Sequence, residues 1–283
     1  MIVEAEPPSL PYGHGWKTDF RRHTVDYAEL SSGGPPRDGI PPIDQPVFEP
    51  ITAAQSWLAD TEPVALFEHN GAVRIYPLQI LIWHEIVNDT VGGDPVVVTF
   101  CPLCNTAIAF DRRVGARTLT FGTSGLLRNS DLVMWDRQTE SLWQQASGDA
   151  IIGELAGEQL TFLSVSIVSW RDAAQQFPNA QVLSRATGAD RDYGRNPYNG
   201  YDTSEQPFLY TGPRDERLPA MERVVGLRQG NEAVAYPFAL LAQQQVVEDR
   251  VGGAPVVVFH PVSYTHLRAH ETKANLVCRL LLE

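Results

Sequence analysis

Residues 64–98 read VALFEHNGAVRIYPLQILIWHEIVNDTVGGDPVVV, and residues 224–258 read VVGLRQGNEAVAYPFALLAQQQVVEDRVGGAPVVV. The two stretches align at a constant offset of 160 without a gap. Val64, Tyr76, Pro77, Leu81, Val87, Asp89, Val91, Gly92, Gly93 and the run Pro95 to Val98 all recur at their partners. Each copy predicts a strand, a turn, a strand, a helix, a Gly-Gly turn and a strand. Pro77 and Pro237 open the helices, where a missing N–H costs nothing. The Gly-Gly pair closes the connection and accepts positive φ. The pattern predicts an α+β fold, rich in β, as one unit with an internal duplication packed about a pseudo-dyad.

The copies differ where chemistry would be. His84 and Glu85 face Gln244 and Gln245 in the second copy, and Cys101 faces Pro261. One half keeps side chains able to ligate or react, while the other keeps only the scaffold.

Around the repeats the chain divides into three parts. Residues 1–50 are rich in Pro and Gly and read as an extended arm, with Trp16 and Phe20 as its anchors. Residues 51–261 form the duplicated domain. Between the copies, the segments beginning at Ala107, Thr118, Asp131 and Leu160 read as strands, and residues 166–177 as a helix stopped by Pro178. Residues 188–219 read as a loop dense in Tyr, Asn and Gly, suited equally to a site border and to an ordinary packed surface. From about Val262 the composition changes: residues 262–283 hold one of the two lysines, the third cysteine and no Gly or Pro. This tail reads as adapter-like sequence foreign to the fold, with the native C-terminal part lost, and is expected to pack poorly. It places His266 and His270 at i and i+4, a spacing that imitates a zinc motif, and is set aside from function.

The formal net charge of −12 excludes a dominant basic patch and so argues against a nucleic-acid partner. No run of 18 apolar residues exists to span a membrane, and the N-terminus lacks the basic and apolar regions of a signal peptide.

The chemistry concentrates in Thr99-Phe-Cys-Pro-Leu-Cys-Asn-Thr-Ala107, which follows an apolar run that reads as a buried strand. Two of only three cysteines, Cys101 and Cys104, stand three positions apart on the turn leaving that strand. Thiols so placed close a small disulfide ring or clamp a soft metal. The plainer alternative is a pair of small buried hydrophobes. His84 is the natural group to perturb a thiol, because its helix leads directly into the cysteine strand. On a continuous helix Asn88 lies one turn from His84, and Glu85 and Asp89 form the neighbouring i, i+4 pair. Arg112, Arg128 and Asp131 offer further polar groups, while Trp135 and Trp143 read as core rather than as a binding platform.

Three functions follow. A thiol oxidoreductase would use Cys101, Cys104 and His84 on a small-molecule or thiol partner. A metal-binding or carrier protein would hold Cu(I) or zinc through Cys101, Cys104 and His84. A structural domain would use the cysteine pair as a disulfide staple.

Several motifs together carry a family resemblance: Trp16-Lys-Thr-Asp-Phe20, Gly33-Gly-Pro-Pro36, the stretch from Tyr76 to Asp89, Thr99-Phe-Cys-Pro-Leu-Cys104, the stretch from Phe121 to Arg137, and Thr139-Glu-Ser-Leu-Trp-Gln-Gln145. With these the chain resembles a bacterial family of uncharacterised proteins, the domain of unknown function 3179, from about residue 14 to about 261. The family has no settled activity to transfer. The resemblance implies an exported or periplasmic location. Some members carry selenocysteine at a cysteine of this motif, which favours a redox-active chalcogen.

Overall fold

The computed structural model describes residues 3, 4, 15–210, 212, 213 and 215–259. The expectation for the tail, with His266 and His270, lies outside the described residues. The first repeat forms β1 (Pro63–His69), β2 (Ala72–Pro77), α1 (Leu78–His84), β3 (Ile86–Val91) and β4 (Asp94–Cys101). The middle of the chain forms β5 (Thr106–Asp111), β6 (Phe121–Arg128), β7 (Asp131–Asp136), β8 (Leu142–Gln144), β9 (Val165–Ser169) and α2 (Trp170–Gln176). The second repeat forms β10 (Val224–Gln229), β11 (Glu232–Pro237), α3 (Phe238–Gln244), β12 (Val246–Val251) and β13 (Ala254–Phe259).

Strand accounts for 42% of the described residues and helix for 13%, so the fold is mainly β rather than α+β. The helical content falls short because α1 stops at His84. Glu85 caps it with φ 60° and ψ −28°, and the chain leaves directly into β3. Ile86, Val87, Thr90 and Val91 supply the β-branched run that favours a strand. Gly92 and Gly93, at φ 57° and 89°, then form the turn of a β3–β4 hairpin, and do not end a helix. Asn88 and Asp89 therefore sit on a strand, and the helical spacings expected for them do not exist. The second expected helix is also shorter. Residues 165–169 pair with β1, and α2 begins at Trp170, capped by the Ser169 hydroxyl accepting from Asp172 N–H at 3.1 Å.

Three sheets share the core. β9, β1 and β2 continue through Gln181–Leu183 to Phe48–Pro50 in a five-stranded sheet. Phe162–Leu163, β5, β4 and β3 form a four-stranded sheet. A seven-stranded sheet contains β8, β7 and β6, with Leu30–Ser32 on the outer flank of β6. Cys101 belongs to the cluster between the last two sheets, with Ile86, Val97, Phe110, Phe121 and Trp143. Trp16 packs edge-on against Trp135 at 5.5 Å. No helix among the described residues is long and apolar enough to cross a membrane.

The two repeats differ in what covers them. Val64, Ile80, Ile86 and Thr99 are fully buried, whereas Val224, Leu240, Val246 and Phe259, 160 positions on, are 38–46% exposed. β9 lies along β1 and β5 along β4, while the second-half hairpins pair only with themselves among the described residues. Truncation to alanine at matching positions should then give unequal results. Ile86→Ala should cost about 3 kcal/mol by transfer and cavity loss, and Val246→Ala should stay within about 0.5 kcal/mol. Paired urea titrations check this, and equal losses would contradict the burial difference.

Candidate functional site

The site is built from two hairpin tips. β4 presents a run of buried residues from Val96 to Cys101, and Cys101 is 1% exposed. The chain then reverses in a tight turn, with Cys104 N–H donating to Cys101 O at 3.2 Å. Pro102 suits the second position of such a turn, and Asn105 at φ 49° supplies the left-handed residue before β5. Thr106 then pairs with Cys101. The turn brings the two sulfurs to 3.0 Å, with both cysteines free. Cys101 is the inner of the two; Cys104 reaches the surface, with its sulfur half-buried between Cys101 and Asp131.

The second tip joins β6 to β7. Arg128 pairs with Asp131 across a two-residue turn in which Asn129 and Ser130 take φ 53° and 63°. This turn places Asp131, itself buried, against the thiols. Cys104 Sγ donates to Asp131 Oδ1 at 3.2 Å and lies 3.5 Å from Ser130 O. Asp131 Oδ2 accepts from Ala146 N–H at 3.0 Å and from the Gln144 amide. Donor atoms of Cys101, Cys104 and Asp131 all lie within 4.8 Å of one another.

The hydrogen bond to Cys101 raises the Cys104 thiol above its ordinary range, with burial and the charges of Cys101 and Asp131 adding to it. Burial raises Asp131, against the opposing bonds from Ala146, Gln144 and the thiols. Burial pushes Glu85 up to about 8, opposed by a hydrogen bond from Tyr198 and reinforced by the charge of Asp131. The hydrogen bond to Cys101 at Cys104, and burial at all three groups, thus favour the protonated, neutral forms of Cys104, Asp131 and Glu85.

The loop 187–210 is tied to the β6–β7 tip, where the Ser130 hydroxyl donates to Phe208 O. Burial raises both phenols of this loop, with the charges of Glu85 and Cys101 adding to the effect on Tyr198 and those of Cys104 and Cys101 to the effect on Tyr201. Gln145, fully buried behind the cysteine turn, donates to Thr99 Oγ1 at 2.9 Å and Thr106 O at 3.2 Å. Its Oε1 has no hydrogen-bond partner among the described residues.

His84 is not part of the gathered donor set, and Asp131 takes the place expected for it. The histidine is 1% exposed and both ring nitrogens are engaged. Nδ1 lies 2.6 Å from Pro41 O, and Nε2 lies 2.6 Å from Tyr193 OH. A carbonyl can only accept, so Nδ1 carries the proton and Nε2 accepts from the phenol. Burial lowers the His84 pKa and keeps the ring neutral.

Three other expected site residues hold the scaffold. Asn88 clamps β3 to β6, accepting from Phe121 N–H at 2.9 Å and donating to Phe121 O and Asp44 Oδ1 at 2.8 Å. Arg112 donates to the carbonyls of Val96, Leu119 and Asp89 at 2.7–3.0 Å. Arg128 ion-pairs with Glu29 and donates to Gln144 Oε1 at 3.2 Å, so it stands behind the side chain that holds Asp131. Sequence reasoning nominated Asp131 and Glu85 only as supporting groups. It did not single out Tyr193, Tyr198 or Ser130, although the tyrosine density of the loop was a visible signal.

The arrangement defines a mainly β protein with a buried thiol–carboxylate cluster between two hairpin tips. The chain belongs to the family described as protein of unknown function (DUF3179), matched over residues 37–278. No curated protein and no solved structure matches it.

Proposed function

We propose that this protein binds a zinc ion through Cys101, Cys104 and Asp131. The observation that carries the reading is the convergence of the three donor atoms within 4.8 Å. Two thiolates and a carboxylate with a fourth position left for solvent or a ligand suit tetrahedral zinc. The hard carboxylate oxygen favours zinc over Cu(I). The repeated order of elements supports an internal duplication in which the first half alone kept donors.

The thiol-redox reading is second. Its support is the 3.0 Å separation of the sulfurs, but the hydrogen bond to Cys101 and the burial that raise Cys104 oppose the thiolate that such chemistry needs. A disulfide staple is the third, and it is the reading that the free cysteines support least.

The test is metal analysis of protein purified under reducing conditions, followed by cobalt substitution. One zinc per chain and a thiolate-to-cobalt charge-transfer band are expected. Asp131→Asn and Cys101→Ser should each weaken zinc binding by more than about a hundredfold, since even partners outside the ligand shell are commonly worth 10- to 100-fold. Uptake should weaken as pH falls, because the thiols must lose protons to bind. A metal-free protein that takes up no cobalt and instead cycles its thiols with a disulfide substrate would replace this reading by the redox one.

A further inference from the structure

Three consecutive residues at the end of β8, Gln144 to Ala146, frame the donor set. The Gln144 amide and the Ala146 N–H both donate to Asp131 Oδ2. Gln145, between them, is fully buried, and its own N–H donates to Leu132 O at 3.0 Å. Its side chain reaches the cysteine hairpin, where Nε2 donates to Thr99 Oγ1 at 2.9 Å and to Thr106 O at 3.2 Å. Thr106 stands directly opposite Cys101 in the ladder. Thr99, two positions before Cys101 on the same strand, shares its face of the sheet. The amide is therefore fixed over the face of β4 that carries the Cys101 side chain.

This amide cannot be turned over. Thr106 O can only accept, so the NH2 must face it. The Thr99 hydroxyl gives its proton to Ile108 O at 2.8 Å, so it too accepts from Gln145. Oε1 is left buried with no donor among the described residues. A buried acceptor without a donor carries an unrelieved desolvation cost, and a partner that brings a proton to it relieves that cost. We infer that Gln145 is a ligand-binding residue of this site: its Oε1 accepts a hydrogen bond from a protic ligand in the fourth position that Cys101, Cys104 and Asp131 leave on the metal. The site then selects ligands that carry hydrogen on the coordinating atom, such as water or an amine, over those that carry none. This inference rests on the zinc reading above.

The experiment titrates cobalt-loaded wild type and Gln145→Met, at one pH, with two probes read by the visible cobalt bands. Ammonia has N–H on its coordinating atom, and azide has none. Methionine keeps the length of the side chain and removes the carbonyl. Ammonia should bind roughly tenfold more weakly to the variant, the scale of one buried hydrogen bond, while azide binds as tightly or more tightly. Equal weakening of both probes would mean a distorted site and overturn the inference, as would unchanged ammonia binding. Where Gln145→Met does not fold or load cobalt, Gln145→Glu decides. Its carboxyl keeps an acceptor, so ammonia should bind at least as tightly as to wild type and azide more weakly; weakened ammonia binding there would overturn the inference. The thiolate-to-cobalt band separates this failure from that of the metal site. A wild type without the band removes the zinc reading and this inference together, whereas a band in both proteins with the same response to both probes removes the inference alone.

Discussion

Trp143→Ala is expected to lower stability by about 3–5 kcal/mol, the usual cost of emptying a large aromatic from a core. Trp143 is fully buried on β8, packs edge-on against Phe121 at 5.8 Å, and donates Nε1–H to Asp136 Oδ2 at 2.9 Å. Asp136 is fully buried as well, so the substitution removes one of the donors that keep its carboxylate satisfied. For a chain of this size the melting temperature should fall by roughly 10 °C or more. Cys101 lies in the same cluster, so the loss should also loosen the floor of the thiol site. Trp143→Phe keeps most of the apolar volume and should cost roughly half as much. A melting temperature unchanged in Trp143→Ala would mean that the indole is a binding platform and not core.

Glu85→Gln should stabilise the metal-free protein at alkaline pH and leave it unchanged near pH 4.5. Burial raises the Glu85 carboxyl from 4.5 to about 8. Between these values the folded chain holds a proton that the unfolded chain has released. Stability of the wild type therefore falls as pH rises through this window and levels off above about 8. A shift of this size corresponds to several kcal/mol at most. Glutamine removes the titration and keeps the shape. The backbone already accepts it, because Gln245 caps α3 with φ 59°, as Glu85 caps α1 with φ 60°. Denaturant midpoints of the two proteins in a chelating buffer should coincide near pH 4.5–5 and separate steadily toward pH 8.5. Parallel curves across this range would show that Glu85 ionises freely in the folded chain.

Much of the first half was legible from residue order. The alternating turns and apolar runs of residues 64–98 mark β1, β2, the start of α1, and β4, because each is a local pattern with its own period. The Cys101–Cys104 turn was legible too, since a Pro between two thiols at the end of a strand specifies a reversal. The end of α1 was not. Trp83, His84 and Glu85 continue an acceptable helical pattern, and only the pairing of β3 with β4 makes the strand conformation of residues 86–91 the better one. Hydrogen bonds to a partner strand decide that competition, and a local reading does not contain them.

The composition of the site divides along the same line. Residue order alone determined that the cysteines belong together, three positions apart on one turn, and that Pro261 stands at the position matching Cys101. Only the tertiary structure decided their company. Asp131 reaches Cys104 from 27 positions away because the β6–β7 turn points at the cysteine turn. His84, close in sequence to the cysteine strand, turns instead to Pro41 and to Tyr193, 109 positions on. Short-range spacing sets which atoms can meet along one hairpin. Which hairpins and loops meet each other is set by the packing of whole sheets, and that packing chose a carboxylate for the thiols and a tyrosine for the histidine.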